Sequence, residues 1–328
     1  MKGLKGFKGF NKDFTCQGKQ YAENTIFKEK DAEINKSGIH FCVNPFDVLE
    51  YYGFVNENAE LNEFAEVEAL HDCKTDDDKE YVTKKLKIGT KIGIEGLIKA
   101  FVDFTLAKTE SIVTNINSRS ISTNTDLESV TMNTGFCSGA INTGRDSIAM
   151  NKSSYSVAMN TGNRSVSTSI GLQSAAMNTG IYSAAMNTGL NSASINTGNF
   201  SVSMNTSYRS GTLNTGDNSA SINTGDFSVS TNTGNCSVAM GSGDYSVAIN
   251  IGDCSIANAE GKNSFAIATG INSKAKGKFG CYIAIAEWKQ KNIGEYEFID
   301  FKSHKVDGKI IKEDVYYTLK DGKFVEVN

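Results

Sequence analysis

A serine that recurs at every ninth residue is the feature that most constrains this chain. It occupies each ninth position from Ser111 to Ser273, nineteen positions in all, without an insertion or deletion. A solenoid, in which each residue stacks on its counterpart in the next coil, imposes such a rule because one inserted residue would shift every later layer. The serine register therefore predicts a stack of coils.

The repeat reads S-[VIA]-[AS]-[MI]-N-T-G-x-x. Apolar residues at alternate positions predict a short strand with one buried face. Asn-Thr-Gly predicts a corner, because Gly tolerates positive φ and Asn bonds to nearby backbone. Two repeats should form one turn, which gives about 9.5 turns. The predicted fold class is mainly β, a parallel β-solenoid (β-roll). Its serines should stack along two edges: Ser147, Ser165 and Ser183 on one, Ser156 and Ser174 on the other.

The face that each strand buries is open to two interpretations. The Val and Met/Ile columns, one and three residues after the serine, are expected inside because they are apolar. Asp in place of Met177 or Ile195 should then break the stack, whereas the same change at Tyr182 or Asn191 should be nearly silent. The alternative places Ser and Ala inside a thin core, and the two exposed apolar faces would then favour oligomerisation.

Three domains are predicted: an N-terminal α/β domain over residues 1–109, the solenoid over 110–277 and a small C-terminal antiparallel β cap over 278–328. The alternation of apolar residues in the cap predicts strands at 281–288, 296–302, 309–311, 315–319 and 324–327. Asp307-Gly308 and Asp321-Gly322 are typical of hairpin turns.

The N-terminal domain shows weaker patterns. Strands are expected near 7–14, 39–43 and 65–69, and a helix should follow Pro45. Apolar residues at helical spacing predict a second helix over 94–107, which should cover the first open coil. The Lys-Gly pairs of the first nine residues suggest a mobile start, and the acidic segment 72–80 suggests a solvated loop.

Charge and cysteine spacing exclude several classes of function. Residues 111–277 hold eight basic and eight acidic side chains, so no basic stripe is present for nucleic acid. Seven cysteines without a C-x-x-C pair, and three histidines, give no metal spacing. No apolar run reaches the ~18 residues of a membrane helix, and no signal peptide is visible. We expect a cytoplasmic protein with no metal, cofactor, membrane or nucleic-acid partner.

Two resemblances to known families follow from particular segments. Residues 262–277 (KNSFAIATGINSKAKG) resemble the head repeats of trimeric autotransporter adhesins, which form left-handed parallel β-rolls. Residues 8–16 (KGFNKDFTC), 37–52 (SGIHFCVNPFDVLEYY) and 306–327 (VDGKIIKEDVYYTLKDGKFVEV) resemble the ends of uncharacterised phage and prophage proteins. The first resemblance implies architecture and not adhesion. The second implies a phage or prophage origin, with a bacterial cytoplasm or the virion as the location.

Catalytic candidates come from a further, fainter resemblance. Gly38-Ile39-His40-Phe41 followed by Tyr51 and Tyr52 is similar to a stretch of ADP-ribosyltransferases. That resemblance implies roles for His40, for Tyr51 or Tyr52, and for a later Glu, either Glu66 or Glu68. The absence of Arg before Arg119 excludes the Arg-dependent form of these enzymes.

The preferred hypothesis is a non-enzymatic binding or structural scaffold of phage or prophage origin that acts through protein–protein contacts. Corner aromatics form the expected interaction surface: Tyr182, Phe200, Phe227 and Tyr245. Flat repeating faces with no net charge predict a dimer or trimer, and a bacterial host protein is a further candidate partner. The alternatives are an N-terminal ADP-ribosyltransferase on a solenoid scaffold and an anti-defence inhibitor that sequesters a host protein or nucleotide.

Overall fold

The computed structural model describes residues 3–34 and 36–327. The chain divides into two compact units, one of Met1–Asn56 and Leu61–Lys108, the other of Glu57–Glu60 and Thr109–Asn328. The first unit is built on an antiparallel sheet. The second is a parallel β-solenoid that ends in antiparallel strands. The predicted fold class, mainly β with a solenoid of two repeats per turn, is therefore confirmed.

The described residues of the first unit form nine strands. They are β1 (Lys5–Phe10), β2 (Thr15–Cys16), β3 (Lys19–Gln20), β4 (Ile26–Lys28), β5 (Ile39–Cys42), β6 (Glu63–Ala69), β7 (Cys73–Lys74), β8 (Glu80–Thr83) and β9 (Lys85–Lys91). Seven of them form an antiparallel sheet in the order β4-β9-β6-β1-β5-β8-β7, and β2 and β3 form a hairpin. Strands thus lie in all three segments where the sequence predicts them. The start is no mobile arm, because β1 is at the centre of the sheet.

A 3-10 helix and an α-helix pack on this sheet. Pro45–Glu50 is a 3-10 helix, whose N-cap Asn44 accepts a hydrogen bond from the Phe46 N–H at 3.0 Å. The helix α1 spans Gly93–Lys108 and contacts β6 and the 3-10 helix. The Phe101 ring stacks on Phe46 with centroids 4.0 Å apart. The predicted helix over 94–107 is confirmed, while its role in covering the first coil remains a prediction.

The solenoid has two sheets of short parallel strands. Sheet I contains β10 (Ile112–Asn115), β12 (Val130–Asn133), β14 (Ile148–Asn151), β16 (Val166–Ser169), β18 (Ala184–Asn187), β20 (Val202–Asn205), β22 (Ala220–Asn223), β24 (Val238–Gly241), β26 (Ile256–Ala259) and β28 (Lys274–Gly277). Sheet II contains β11 (Ile121–Asn124), β13 (Gly139–Asn142), β15 (Val157–Asn160), β17 (Ala175–Asn178), β19 (Ala193–Asn196), β21 (Gly211–Asn214), β23 (Val229–Asn232), β25 (Val247–Asn250) and β27 (Phe265–Ala268).

Each residue pairs with the one 18 positions later, as two repeats per turn require; Val157, for example, pairs with Ala175. The serine edges are as predicted. The Ser147 N–H donates to Ser165 Oγ at 3.1 Å, and on the other edge the Ser156 N–H donates to Ser174 Oγ at 3.3 Å. The serine hydroxyls therefore continue the backbone ladder from coil to coil.

The expectation that the Val and Met/Ile columns form the interior is wrong for sheet II and holds only in part for sheet I, where Val130, Ile148 and Val166 are fully buried. The core contains the serines, the small residues two positions later and the asparagines four positions later, such as Ser165, Ala176 and Asn178. Met177 and Ile195 lie on the other side of their strands and are half-buried. In sheet I the residue after the serine is buried as well, whereas in sheet II that column is largely accessible.

Hydrogen bonds across the thin core explain why polar residues occupy it. Ser194 Oγ donates to the Met204 carbonyl at 2.7 Å, which links the two sheets. Asn178 Nδ2 donates to the Ser165 carbonyl at 2.9 Å, and its Oδ1 accepts from the Gly180 N–H at 2.9 Å. Small side chains let the sheets approach closely enough for these bonds, so hydrogen bonding replaces part of the apolar burial.

The corners differ from the sequence expectation in one respect. Positive φ falls on the variable residue before each serine, for example Tyr182 (φ 55°), and not on the glycine of Asn-Thr-Gly. That glycine is needed for space, since a Cβ at Gly180 would overlap the carbonyl oxygen of Gly162 in the preceding coil. The left-handed position remains variable because many side chains tolerate it at a modest strain.

The C-terminal strands extend both sheets of the solenoid. They are β29 (Tyr282–Asn292), β30 (Glu295–Lys305), β31 (Tyr316–Lys320) and β32 (Lys323–Val327). β29 pairs with β27 in parallel and with β30 in antiparallel, and β31 pairs antiparallel with β28 and β32. Cys281, Ile283 and Tyr317 join the alanines of the last coils in one apolar cluster, so these strands cover the end of the core.

Two details of the C-terminal prediction are wrong. Residues 309–311 are not a strand, and Asp307-Gly308 is not a hairpin turn. The carboxylate of Asp307 instead accepts from three successive N–H groups, those of Lys309, Ile310 and Ile311. The turn between β29 and β30 is formed by Ile293 and Gly294, where Gly294 has φ 81°. The predicted turn at Asp321-Gly322 is confirmed between β31 and β32.

Candidate functional site

A cavity of about 70 Å³ in the first unit brings together three of the five catalytic candidates. Its lining includes His40, Tyr51 and Tyr52 together with Lys8 and Glu80. His40 is on β5, beside β1 with Lys8 and β8 with Glu80. Adjacent strands of the central sheet thus position the polar groups, and the segment after Glu50 supplies the two tyrosines.

The polar groups of this cavity are tied to one another. His40 Nδ1 lies 3.3 Å from the Glu80 carboxylate. The Lys8 ammonium donates to the His40 carbonyl at 3.0 Å and lies 5.7 Å from the Tyr21 ring centroid. Lys8 is only 7% exposed, so its charge is held by these contacts and not by water.

The titration behaviour of the neighbouring groups argues against an activated nucleophile. Burial, followed by nearby Asp47 and Glu80, raises the pKa of the Cys42 thiol. Burial is also the main cause that raises the pKa of Tyr51 and Tyr52, and for Tyr52 a hydrogen bond to Cys16 adds to it. All three groups are protonated at neutral pH. Nucleophilic catalysis usually needs the opposite shift or an adjacent base.

Glu66 and Glu68 lie apart from this cavity, so the five candidates do not form one site. Both line a second cavity of about 460 Å³ with Lys5, Lys87 and Phe104. The carboxylate that does join His40 is that of Glu80, which belongs to the segment 72–80 that the sequence predicts as a solvated loop. The alternation of Glu80, Tyr81, Val82 and Thr83 was too short to indicate a strand by itself.

The first cavity is also smaller than a typical pocket for a ligand the size of a nucleotide. Pockets for ligands of drug size or larger occupy roughly 300–1,000 Å³, and this cavity has about 70 Å³. Across residues 3–34 and 36–327, no group of three or more acidic, His or Cys side chains is arranged to hold a metal ion. Within the same ranges, no helix has the length and hydropathy that a membrane crossing requires.

The corner aromatics of the solenoid form two stacked pairs, one at each edge. Tyr182 and Phe200 precede strands of sheet I and have ring centroids 5.1 Å apart. Phe227 and Tyr245 precede strands of sheet II, with centroids 5.0 Å apart and planes 11° from parallel. The second pair is the more accessible, at 51% and 54% exposure. The 18-residue spacing within each pair explains the stacking.

A recess lies beside the second pair on the outer face of sheet II. Its volume is about 390 Å³, and its floor includes Ala175 and Ala193. The next coil continues the floor with Gly211, where a Cβ would meet nothing within 4 Å. Bulkier Val157 and Val229 flank this run in the same column, at 38% and 40% exposure. We call the surface formed by the recess and the Phe227–Tyr245 pair the sheet II face.

Other side chains give the recess its rim. Tyr155 stands at one end, Arg209 at the other, and Gln173 and Asn191 lie between them. These four residues occupy the left-handed position before successive serines of sheet II. The Arg209 guanidinium lies 5.1 Å from the centroid of the Tyr208 ring. The rim is therefore polar in the middle and aromatic at one end.

Comparison with known proteins adds one finding. Residues 4–100 match the model of a family described as "Domain of unknown function (DUF7666)". No curated protein and no solved structure is significantly similar to the chain. The matched range covers most of the first unit and stops before the first serine repeat. The N-terminal unit is thus similar to a family without an assigned activity, and the solenoid lies outside the match.

Proposed function

We propose that this chain is a non-enzymatic scaffold that acts through protein–protein contacts, and that the sheet II face binds a second copy of the chain. The observation that carries the proposal is the shape of this face. A shallow recess of small residues lies next to a stacked pair of exposed aromatic rings. Large accessible apolar areas on a soluble protein are typical of interaction surfaces.

The spacing of the coils makes the face complementary to itself. A two-fold axis parallel to the strands, placed between the Ala193 and Gly211 rungs, reverses the order of the coils. Phe227 of one copy then meets the Ala175 rung of the other, which is the second rung from the axis, and Tyr245 meets Tyr155. Small residues at the axis allow a close approach, and aromatic side chains fill the partner's recess.

Charge is compatible with this arrangement. Residues 111–277 hold equal numbers of basic and acidic side chains, so long-range repulsion between copies is weak. Arg209 meets the neutral Asn191 of the second copy and not another guanidinium. Closed two-fold pairing also uses the exposed face completely, which prevents open-ended stacking.

The biological setting is part of the proposal. The resemblance of both ends to phage and prophage proteins supports a viral or prophage origin, with a bacterial cytoplasm or the virion as the location. The anti-defence alternative would use the same face for a host protein. The ADP-ribosyltransferase alternative has the joint placement of His40, Tyr51 and Tyr52 in its favour, but the small volume of that cavity and the placement of Glu66 and Glu68 in another cavity favour the scaffold.

The test measures mass in solution. The parent chain of 35.4 kDa should sediment as a dimer at micromolar concentration. Gly211→Arg places a long charged side chain at the two-fold axis, at a position where an added Cβ meets no atom within 4 Å, and it should shift the mass to that of the monomer. Thr179→Arg introduces the same residue at an exposed corner on the opposite edge and should leave the dimer intact.

Two results would count against the proposal. A parent chain that is monomeric at these concentrations would exclude the proposed self-association. Equal loss of the dimer in both variants would place the contact outside the sheet II face. Circular dichroism of each variant shows that the solenoid is still folded. A host protein that binds the parent chain and not Gly211→Arg would favour the anti-defence alternative.

A further inference from the structure

Two cysteines occupy the same corner position in adjacent coils. Cys236 and Cys254 are 18 residues apart, and each lies in the left-handed position before a serine of sheet I, with φ 50° and 53°. The Cys236 N–H donates to the Asp253 carbonyl at 2.8 Å, and the Asp253 N–H donates to the Asn235 side chain at 2.9 Å. These bonds hold the two corners one above the other.

From this stacking we infer that Cys236 and Cys254 form a dithiol site, which thiol–disulfide exchange with a small disulfide such as oxidised glutathione closes into an intramolecular disulfide. Neighbouring coils of a parallel sheet lie about 4.8 Å apart, and disulfides require Cα atoms roughly 4.4–6.8 Å apart. The corner is therefore within bonding range. The inference does not depend on the proposed self-association, since these residues lie at the edge of sheet I.

Exposure assigns the order of the two steps. All seven cysteines are free thiols, and Cys254 is exposed while Cys236 is half-buried. The Cys254 thiolate attacks one sulfur of oxidised glutathione, the S–S bond breaks, and one glutathione leaves as a thiolate. The Cys236 thiolate then attacks Cys254 Sγ and expels the second glutathione. Two electrons pass from the cysteines to oxidised glutathione, and the two thiol protons end on the glutathiones.

The surroundings of the pair favour closure over a persistent mixed disulfide. Asn218 and Asn272 occupy the same corner column in the coils on either side, so neither supplies a competing thiol. Burial, followed by the proximity of Cys254, raises the pKa of the Cys236 thiol. Cys236 therefore reacts slowly with reagents in solution, and its main reaction is with the mixed disulfide directly beside it.

Cys137 is a matched single thiol. It is exposed and occupies the equivalent corner at the edge of sheet II. Its neighbours one coil away are Arg119 and Tyr155, so it has no thiol partner. The same oxidant should therefore leave Cys137 as a glutathione adduct.

The experiment treats the full chain with oxidised glutathione, blocks the remaining thiols under denaturing conditions and maps peptides by mass. The expected product joins Cys236 to Cys254 with the loss of two hydrogen atoms, alongside a glutathione adduct at Cys137. Two separate adducts at Cys236 and Cys254, or linkage between chains, would overturn the inference.

Moving one thiol along the column tests the spacing. The double variant Cys236→Ser with Asn272→Cys places thiols at 254 and 272, one coil apart, and should again form the disulfide. The double variant Cys254→Ser with Asn272→Cys places them at 236 and 272, about 9.6 Å apart at two strand spacings, and should form none. Equal disulfide yields in the two variants would show that corner flexibility, and not stacking, brings the thiols together.

Discussion

At the scale of single residues, the asparagine of each repeat stabilises the polar core. Its carboxamide donates across the core and accepts from the corner glycine, as Asn187 does with the Ser174 carbonyl at 2.9 Å and the Gly189 N–H at 2.7 Å. One coil earlier Ser169 takes the same position. Among the described residues its buried Oγ has no hydrogen-bond partner. The shorter serine side chain makes neither of the two bonds that Asn187 makes.

Restoring the asparagine should therefore stabilise the fold. Ser169→Asn is expected to raise the free energy of unfolding by about 1 kcal/mol, because a typical buried hydrogen bond contributes roughly that much. The reciprocal change Asn187→Ser should lower it by about 1–3 kcal/mol. Urea unfolding monitored by circular dichroism measures both. A Ser169→Asn protein no more stable than the parent would show that water already satisfies this site.

At the scale of the strand, alternation assigns each side chain to one of two very different environments. Ala176 faces the core and is fully buried, whereas the adjacent Met177 faces outward and is half-buried. Hydrophobicity alone suggested the reverse. It ranks methionine above serine and alanine, and it takes no account of how closely two sheets must approach to exchange hydrogen bonds.

An Asp introduced on the core face of a strand should lower the stability more than an Asp introduced on its outer face. Ala176→Asp is expected to cost about 3–5 kcal/mol or to prevent folding, since it buries an unpaired charge. Met177→Asp should cost about 1 kcal/mol, because its carboxylate reaches water. Ala176→Ser, a residue that the repeat itself uses at this position in Ser194, is the control and should be nearly neutral. Comparable losses for Ala176→Asp and Met177→Asp in urea unfolding would contradict the orientation of the strands.

At the scale of the whole solenoid, the unit of construction is the coil of 18 residues. Each coil contacts its two neighbours through the same register, for example Ala184 with Val202. Such a stack tolerates the loss of a complete coil but not a change of register, because a shift of one residue turns every side chain to the opposite face.

Two deletions that differ by one residue test this directly. Removing residues 129–146 takes out one whole coil, and the protein should melt within about 5 °C of the parent. Removing residues 130–146 leaves one extra residue at the junction, and the solenoid should lose its cooperative melting transition or fail to fold. Differential scanning calorimetry compares the two. Similar melting curves would mean that a local bulge absorbs the extra residue.

The serine register was enough to predict the solenoid, its two repeats per turn and its two serine edges. It could not decide the buried face, because the outcome depends on hydrogen bonds between residues such as Ser194 and Met204 that are in different repeats. In the N-terminal unit, the approach of Glu80 to His40 depends on the pairing of β5 with β8. That pairing joins segments whose patterns are too short to indicate their partners.

The odd or even number of repeats has a consequence at the level of the gene. Nine codons encode half a turn, and eighteen encode a complete one. Recombination between similar repeats that adds or removes nine codons keeps the reading frame and every corner. It also rotates the strands after Ser273 by half a turn relative to the first coils. Only exchanges in multiples of eighteen codons preserve the direction in which β29 and β30 point relative to the first coils, so the parity of the copy number sets this direction independently of the length.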